Sequence, residues 1–385
     1  MMRAFKTELK MGEEQVGRLK RIVGVCRYLY NLYLQKAKEH YESTGKFLSG
    51  YEFDKWVNNV HSRIPEYAWI KEVSSKARKK SIMNGDRAFR NFFSGKSKYP
   101  KFKKKKDQDV KTYFPKNHVT DWTIERHRVK IPTFGWVRLK EFGYIPVDAV
   151  VKSGTISIKA DRIYVSVLCE LSEKQHHTTL TGSGIGVDLG IKDFAIFSDG
   201  RVFENNNKKG AVRKIRKKLR REQRSLSRKY ESKKKGGESA TNGSNIQKNV
   251  LRVQKLHQRL SNIQKEYILS VVNSVVKTKP QYITVEDLNV RGMMKNRHLS
   301  KAIANQCFHT FKLWLSNQSR KYGIELRKVD RFFPSSKKCS LCGSVKKKLS
   351  LSERVYHCEC CGLELDRDLN AAINLRYAEE YTILT

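Results

Sequence analysis

Apolar side chains recur at helical spacing over the first part of the chain. Between residues 12 and 41 they fall mostly three or four positions apart, at Val16, Leu19, Ile22, Val23, Cys26, Leu29, Tyr30, Tyr33, Leu34 and Ala37. This spacing predicts an amphipathic helix. Further helical segments are predicted at about 51–60, before a break near Pro65, and at about 74–93. We therefore expect a small helical bundle over residues 11–95, with the aromatic side chains of its third helix in the core.

The pattern changes at Gly95, where the segment GKSKYPKFKKKK begins. Its seven lysines, its glycine and its proline prevent a helix and indicate a linker or an exposed loop. Between about 110 and 172, short segments of alternating apolar and polar residues are separated by turn residues: VKTYF, HRVKIP, WVRLK, GTISIK and RIYVSVLCEL. Alternation predicts strands. We expect them to form a small β-barrel or an open sheet, and the barrel is assigned to residues 1–10 and 96–178.

After residue 183 the chain alternates strands with helices. The apolar segments GIGVDLGI, DFAIFS and RVFEN predict three consecutive strands. A helix, a long helix, a strand, a helix, a strand and a final helix are predicted to follow at about 211–230, 246–277, 281–288, 299–322, 324–330 and 366–381. A polar stretch at 233–245 is typical of a flexible loop. The resulting order β-β-β-α-β-α-β-α is typical of the RNase H-like α/β fold.

The charge balance indicates a polyanionic partner. The chain has 79 lysines and arginines against 38 aspartates and glutamates, a formal net charge of +41. Residues 201–260 alone hold 20 basic residues against four glutamates. Such a charge favours nucleic acid as the partner, and the spread of basic residues over the whole chain disfavours a membrane surface. No apolar run approaches 18 residues and the amino terminus lacks a signal-peptide core, so we expect a cytoplasmic, nucleoid-associated protein.

Three carboxylates stand where the predicted fold would gather them. Asp188 lies in an otherwise apolar strand, where an unpaired charge is costly. Glu286 closes the second apolar strand, and Asp368 begins the last helix, where it is also typical of an N-cap. Carboxylates from three separate elements can hold two Mg²⁺ ions about 4 Å apart, the arrangement that hydrolyses phosphodiesters. The remaining acids nearby are interpreted as turn or surface residues: Asp193, Asp199 and Asp287.

Five of the eight cysteines fall within 23 residues. Four of them form two Cys-x2-Cys pairs separated by fifteen residues, Cys339, Cys342, Cys358 and Cys361. This spacing indicates a four-thiolate zinc site, which is closed and therefore structural. Gly343 and Gly362 follow the pairs and allow the tight turns that such sites need. Cys360 and His357 are not expected to be ligands, because neither keeps the two-residue gap followed by glycine.

Several segments together resemble the TnpB family, the transposon-encoded RNA-guided nucleases related to the compact type V CRISPR effectors. In the second half of the chain they are GIGVDLGIKDFAIFSDG, ITVEDLNVRGM, FFPSSKKCSLCG and CGLELDRDLNAAINL. Two earlier segments, AFRNFFSGKSKYPKFKKKK and VKIPTFGWVRL, are also similar to that family. The resemblance covers nearly the whole chain. It implies that Asp188, Glu286 and Asp368 are catalytic acids and that the four paired cysteines bind zinc, with Cys360 as the one visible extra cysteine.

The resemblance implies an α+β multidomain protein. The helical bundle and the barrel would precede an RNase H-like (RuvC) nuclease domain at 179–334 and 364–385, with a zinc ribbon inserted at 335–363. Two catalytic Mg²⁺ and one structural Zn²⁺ are expected. The enzyme would use a guide RNA from its transposon end to cut double-stranded DNA beside a short motif that the protein reads. One monomer on one RNA is expected, with no membrane partner.

Three other functions are compatible with parts of this pattern. A compact type V CRISPR effector would do the same chemistry with an array-encoded guide, and gene neighbourhood would separate the two. An RNA-guided repressor without cleavage would be expected to lack one or more of the three acids. Asp188, Glu286 and Asp368 are all present here. A zinc-ribbon nucleic-acid-binding protein without a reaction would leave the acid at Asp188 unexplained.

Overall fold

The structure, a computed structural model, describes most of the chain: residues 2–104, 110–116, 118, 121–132, 134–171, 179–180, 182–236, 243–350 and 352–384. The chain divides into two compact units, Met1–Lys174 and Gln175–Thr385. Each unit contains an apolar core of its own. Among the helices that the structure describes, none is both long enough and apolar enough to cross a membrane.

Three helices of the first unit confirm the three predicted helical segments: α1 (Glu13–Thr44), α2 (Gly50–Asn59) and α3 (Ser75–Phe93). Helix α1 buries all of the predicted apolar positions except Val16. It ends at Gly45, whose left-handed conformation (φ 66°) terminates the helix without steric cost. Two 3-10 helical segments separate α2 from α3, and the second begins at Pro65, where the break is predicted.

The aromatic residues of α3 enter the core only in part. Phe89 is buried, and its ring lies edge-on to that of Tyr33 at 6.2 Å. Gly85 allows α1 and α3 to approach, since a Cβ there would lie 2.6 Å from the Tyr33 ring. Phe93 is exposed at the end of the helix, where it contacts the half-buried Phe47. The prediction of a wholly buried aromatic stripe is therefore wrong for Phe93.

The strands of the first unit form one antiparallel sheet: β1 (Met2–Lys10), β2 (Val110–Pro115), β3 (Thr123–Ile124), β4 (Arg128–Ile131), β5 (Gly135–Leu139), β6 (Val150–Lys159) and β7 (Arg162–Glu170). Their order is β2-β6-β7-β1-β5-β4-β3. The amino-terminal strand β1 lies in the middle of the sheet, between β7 and β5. Within the described residues, no pairing joins the two outer strands.

The lysine-rich segment after α3 is an irregular loop that is attached to α1. The side-chain amide of Asn31 donates to the carbonyl of Lys103 and accepts from its backbone N–H, both at 2.9 Å. The Lys103 ammonium lies 3.9 Å from the centre of the Tyr30 ring. The predicted loop is therefore confirmed up to residue 104, and its last two residues lie outside the described part of the chain.

In the described residues of the second unit there are eight strands: β8 (Ile185–Leu189), β9 (Asp193–Phe197), β10 (Val202–Glu204), β11 (Tyr282–Val285), β12 (Glu325–Lys328), β13 (Val355–His357), β14 (Glu364–Asp366) and β15 (Thr382–Ile383). Six of them form a sheet in the order β10-β9-β8-β11-β12-β15, in which β8, β11 and β12 are parallel. Strands β13 and β14 form a separate hairpin-like pair. The five strands predicted for the second half of the chain, β8 to β12, are confirmed. The strands β13, β14 and β15 were not predicted.

The helices of the second unit are α4 (Gly210–Lys235), α5 (Gly243–Val276), α6 (Val290–Met293), α7 (Ser300–Gln306), α8 (Phe308–Tyr322) and α9 (Arg367–Arg376). The polar loop predicted at 233–245 is shorter than expected, because α4 and α5 extend into it; its centre lies outside the described residues.

Two predicted helices of this unit are corrected by long-range contacts. The single helix predicted at 299–322 is broken at Cys307, which has a left-handed backbone (φ 56°). The preceding Gln306 is fully buried and donates from its side-chain amide to the carbonyl of Gly190 at 3.1 Å. The last helix ends at Arg376 instead of residue 381, because the chain then returns to pair with β12 as β15.

Two glycines, Gly184 just before β8 and Gly186 within it, allow α9 to lie directly on the sheet. A Cβ on Gly186 would be 1.9 Å from the carbonyl oxygen of Ala372. A Cβ on Gly184 would be 1.9 Å from the ring of Tyr282, whose hydroxyl donates to the carbonyl of Arg376 at 3.1 Å. The backbone of α9 therefore occupies the space that a side chain at Gly186 would need, and the Tyr282 ring occupies the space at Gly184.

We expect Gly186→Ala to destabilise the second unit by about 1–3 kcal/mol, because the new methyl group meets helix backbone that cannot rotate away. Calorimetric unfolding would measure the change. Gly210→Ala is the matched control, since a Cβ there meets nothing within 4 Å. Equal melting temperatures for the two variants would contradict this packing.

Candidate active site

Two of the predicted acids lie at the same edge of the parallel strands. In β8 and β11, residue 187 pairs with residue 285. One further step of this register places Asp188 beside Glu286, the residue that follows β11. Because the carboxyl ends of parallel strands meet at one edge of a sheet, the two carboxylates converge although they are far apart in sequence.

The third acid comes from the first turn of α9. Asp366 is the N-cap of this helix, and its carboxylate accepts hydrogen bonds from the backbone N–H groups of Asp368 and Leu369 at 2.9 and 3.0 Å. The N-cap interpretation of Asp368 is therefore wrong. Ala372, one turn further into the helix, lies against Gly186 of β8. Asp368 accordingly lies one turn nearer the edge of the sheet that holds the other two acids.

Burial and the charges of neighbouring carboxylates raise the proton affinity of Asp188 and Glu286. Removal from water raises the pKa of Asp188 well above its ordinary value, and the charges of Glu286 and Asp368 raise it further, against the effect of Arg367. Burial raises the pKa of Glu286; a hydrogen bond from Ser335 opposes this change, and the charge of Asp368 adds to it. Negative charge is thus only partly compensated by protein groups, which is the environment that a divalent cation stabilises.

The neighbouring acid Asp287 has a different environment. Its carboxylate lies 3.2 Å from the guanidinium of Arg331 and 3.5 Å from the ammonium of Lys328. Burial opposes the change, but these cations and Lys312 together lower the pKa of Asp287. Asp287 is therefore a neutralised ion-pair partner, which agrees with its interpretation as a surface acid.

Ser335 is a residue of this site that sequence reasoning missed. Its hydroxyl donates to the carboxylate of Glu286, and its backbone carbonyl accepts from the side-chain amide of Asn374 on α9 at 2.8 Å. Both side chains are buried. The segment FFPSSKKCSLCG contains the serine, but nothing in the local pattern indicates a contact with a strand end 49 residues earlier.

The four paired cysteines converge in a single cluster. The sulfur atoms of Cys339 and Cys361 are 3.6 Å apart, as are those of Cys342 and Cys358, and all four lie within 4.8 Å of one another. Four sulfurs around zinc at Zn–S distances of about 2.3 Å would lie about 3.8 Å apart. The donor set and its spacing therefore fit a tetrahedral zinc ion.

The two halves of the cluster have the same backbone geometry. Gly343 and Gly362 adopt left-handed conformations (φ 77° and 73°), and each N–H donates to the carbonyl of the cysteine four residues earlier. Backbone N–H groups, that of Cys361 first, lower the pKa of Cys358 to about 6. At Cys361 a backbone hydrogen bond with Leu363 opposes the change, but burial and the neighbouring thiols raise the pKa to about 12. Without metal, the cluster therefore favours a thiolate at Cys358 and a thiol at Cys361. Cys360 lies outside the cluster and contacts the Ser344 hydroxyl at 3.3 Å.

Two asparagines attach the cysteine cluster to α9. Asn370 is fully buried; its amide donates to the carbonyl of Lys338 and accepts from the N–H of Ser340, at 2.8 and 3.0 Å. Asn374 also donates to the Lys338 carbonyl, at 2.6 Å. Because Lys338 and Ser340 flank Cys339, the helix that carries Asp368 is bonded to the first cysteine pair.

Family comparisons agree with this arrangement. Residues 166–297 match the OrfB_IS605 family, described as "Probable transposase", and residues 308–375 match the Cas12f1-like TNB domain. Residues 1–46 match the helix-turn-helix domain of OrfB_IS605. In the structure, residues 2–46 contain the strand β1 and, after it, the helix α1.

Relatives and a solved structure match over nearly the whole chain. The "Putative RNA-guided DNA endonuclease InsQ" of Escherichia coli K12 is 29% identical over 97% of this chain and 91% of its own length. A protein of Streptomyces pristinaespiralis, also named "Putative RNA-guided DNA endonuclease", is 30% identical over 97% of this chain and 88% of its own. The cryo-EM structure of a Cas12f1–sgRNA–target DNA complex shares the fold, with a TM-score of 0.57 at 14% identity over 96% of this chain and 84% of that one.

We expect the purified protein to hold one zinc ion per chain. Replacing Cys339 or Cys358 with Ser should release it, since each removes one of four ligands, while Cys360→Ser should retain it. Metal analysis by mass spectrometry measures the zinc content. A zinc-free wild-type protein, or loss of zinc in Cys360→Ser, would contradict this ligand set.

We expect Asp188→Asn to raise the melting temperature of the protein in EDTA. A carboxyl whose pKa is raised by folding binds its proton more tightly in the folded state, so its contribution to stability is lost as the pH rises from the ordinary aspartate pKa through the raised value. The amide removes that penalty at neutral pH. The gain should vanish at pH 3, where the wild-type carboxyl is protonated.

Excess Mg²⁺ should reverse the order of the two proteins. An ion that binds the folded state stabilises the wild type, and the variant lacks one ligand. A variant that melts below the wild type in EDTA would contradict the assignment of uncompensated charge to this site.

Proposed function

The chain belongs to the TnpB family of RNA-guided DNA endonucleases, and we propose that it cuts double-stranded DNA selected by a guide RNA. The cut would be a hydrolysis of phosphodiester bonds at Asp188, Glu286 and Asp368. The observation that carries the proposal is the convergence of these three acids, from two strand ends and one helix, with only partly compensated charge. Structural proteins have no need to assemble such a cluster, since it costs folding free energy.

The donor set supports Mg²⁺ at this site. All three proposed ligands are carboxylates, the hard oxygen donors that Mg²⁺ prefers, and a metal pair there would activate water and stabilise the leaving oxygen. Asp188 and Glu286 hold their carboxylates at a rigid sheet edge. Asp368 supplies the third from a helix fixed on both sides. Ser335 orients the carboxylate of Glu286, and Arg367, whose Nε lies 3.7 Å from the Asp368 carboxylate, offsets part of the repulsion.

The topology supports an RNase H-like (RuvC) domain. Three strands in antiparallel succession are followed by two parallel strands, and the acids sit on the first strand, after the fourth and on the last helix. We assign this domain to 179–334 and 364–385 and the zinc ribbon to 335–363. The seven-stranded sheet, at 1–10 and 96–178, would be the barrel-like domain, and residues 11–95 the helical domain.

The charge supports a guide RNA and a DNA target as partners. A net charge of +41 needs a polyanion, and guide and target together offer more phosphates than that. Pairing with the guide would select the sequence, while the protein would read backbone shape and a short adjacent motif. The transposase family match supports a guide encoded at the end of a mobile element. A monomer on one RNA in a prokaryotic cytoplasm remains our expectation.

A compact type V CRISPR effector is the second candidate. The match of residues 308–375 to a Cas12f1-like domain and the shared fold favour it. Both functions predict the same chemistry, so the source of the guide separates them. Sequencing the RNA that co-purifies with the protein would identify either a transposon-end transcript or an array transcript.

We expect Asp188→Ala, Glu286→Ala and Asp368→Ala each to abolish Mg²⁺-dependent cleavage by the RNA-loaded complex. Each removes a ligand from one clamp, so double variants should be no worse than single ones. Target binding should persist, because losing a carboxylate lessens repulsion of phosphates. Cleavage and binding would be measured on the same preparations.

Asp199→Asn is the matched control for these variants, since that acid is paired with Arg201 in the turn between β9 and β10, and it should still cut. Cleavage near the wild-type rate by Glu286→Ala would overturn the assignment of the acids. Site-selected cleavage by RNA-free protein would overturn guidance by RNA. Tight binding without any cleavage by the wild type would favour the repressor.

A further inference from the structure

We propose that Phe332 is a stacking platform for a base of the DNA strand being cut, an inference that rests on the proposed function. Phe332 is 87% exposed, more than any other large apolar residue in the described part of the chain. Leaving an aromatic ring in water forgoes the free energy of burying it. A single exposed apolar residue is ordinary, so the assignment depends on where this ring is held and how firmly.

The turn that carries Phe332 is attached to the acidic site on both sides. On one side, Arg331 donates to the carboxylate of Asp287, the neighbour of Glu286, at 3.2 Å. On the other side, the hydroxyl of Ser335 donates to Glu286 itself. The Cα of Phe332 therefore lies within about 10 Å of that of Ser335, whose side chain touches a proposed catalytic acid.

Hydrogen bonds within the turn fix its shape. The N–H of Phe332 donates to the carboxylate of Asp330 at 2.8 Å, and the N–H of Phe333 donates to the Asp330 carbonyl at 3.2 Å. The N–H of Ser335 donates to the carbonyl of Phe333 at 2.8 Å. The exposed ring thus stands on a preorganised turn, so that binding a ligand to it would cost little conformational entropy.

The chemistry of the turn favours a nucleobase as the occupant. A flat ring stacks on any base, which suits an enzyme whose sequence choice comes from pairing with a guide. The guanidinium of Arg331 is half exposed on the same turn and can face the adjoining phosphate. Hydrolysis requires one phosphodiester to be held in line with the three acids. Stacking a neighbouring base on Phe332 would fix that phosphate, and would replace the stacking that the base loses on leaving the duplex.

The test compares the RNA-loaded full-length complexes of the wild type, Phe332→Ala, Phe332→Trp and Val202→Ala. Val202 is the matched control, since it is an exposed apolar side chain at the opposite edge of the sheet, on β10. With the complex in saturating excess, Phe332→Ala should cut about tenfold more slowly or worse. Phe332→Trp and Val202→Ala should cut like the wild type. Melting temperature, guide affinity and target affinity should be unchanged in all four.

Single abasic sites placed along the cut strand identify the stacked base. One abasic position should slow the wild type about as much as Phe332→Ala does, and should slow Phe332→Ala no further, since the two changes remove the same contact. An abasic effect of equal size in both proteins would overturn the proposal, as would wild-type cleavage by Phe332→Ala.

Two other results would overturn it in different ways. Loss of guide affinity in Phe332→Ala would assign the ring to the RNA. A wild-type complex that binds its target and never cuts would instead overturn the proposed function, and the stacking role with it. If the wild type cuts and Phe332→Ala cuts equally fast, the stacking role alone is overturned.

Discussion

The contact between the backbone of α9 and the bare face of β8 is the constraint on which the acidic site depends. Two residues along a strand span about 6.6 Å, and one helical turn spans about 5.4 Å. Gly186 contacts Ala372. Asp188 lies two residues further along β8 and Asp368 lies one turn nearer the start of α9, so these two carboxylates approach each other in the same way. Any side chain at Gly186 would push the helix, and the third carboxylate with it, away from the sheet. The absence of a side chain at Gly186 thus determines how closely the carboxylates of Asp188 and Asp368 approach.

The same helix is fixed on its other side by the cysteine cluster. Asn370 and Asn374 bind the backbone around Cys339, and Asn374 also holds Ser335, which contacts Glu286. A closed site of four thiols has no open position for chemistry. It can nevertheless matter for chemistry, because it supports two of the three acids through buried hydrogen bonds. The repulsion among the acids explains why such support is needed, since unsupported carboxylates would separate.

Features that depend on neighbouring residues could be predicted from the sequence. Features that depend on contacts between residues far apart in the chain could not. The Cys-x2-Cys pairs and the glycines after them define their own turns, so the cluster at Cys339 followed from spacing alone. Five strands of the second unit, β8 to β12, followed from apolar runs. By contrast, the helix break at Cys307 accompanies a bond from Gln306 to Gly190, and β15 exists because the chain end returns to β12. The residues around Gln306 and β15 do not indicate that Gly190 and β12 are their partners.

The acids illustrate the same limit at a finer scale. The sequence DRD offers two aspartates at the start of α9, and only backbone geometry decides that Asp366 caps the helix. Asp188 stood out because its strand is otherwise apolar. Ser335 did not, because its partner is a strand end far back in the chain. Local pattern identified the candidates, and packing assigned their roles.

The location of bound metal tests most directly whether Asp188, Glu286 and Asp368 form one metal clamp. Crystals of the protein with its guide RNA and a non-cleavable DNA target would be soaked in Mn²⁺, which occupies Mg²⁺ sites and scatters X-rays anomalously. We expect two Mn²⁺ peaks about 4 Å apart, coordinated by Asp188, Glu286 and Asp368 and by one DNA phosphate. Anomalous peaks at other residues, with none at these carboxylates, would contradict it.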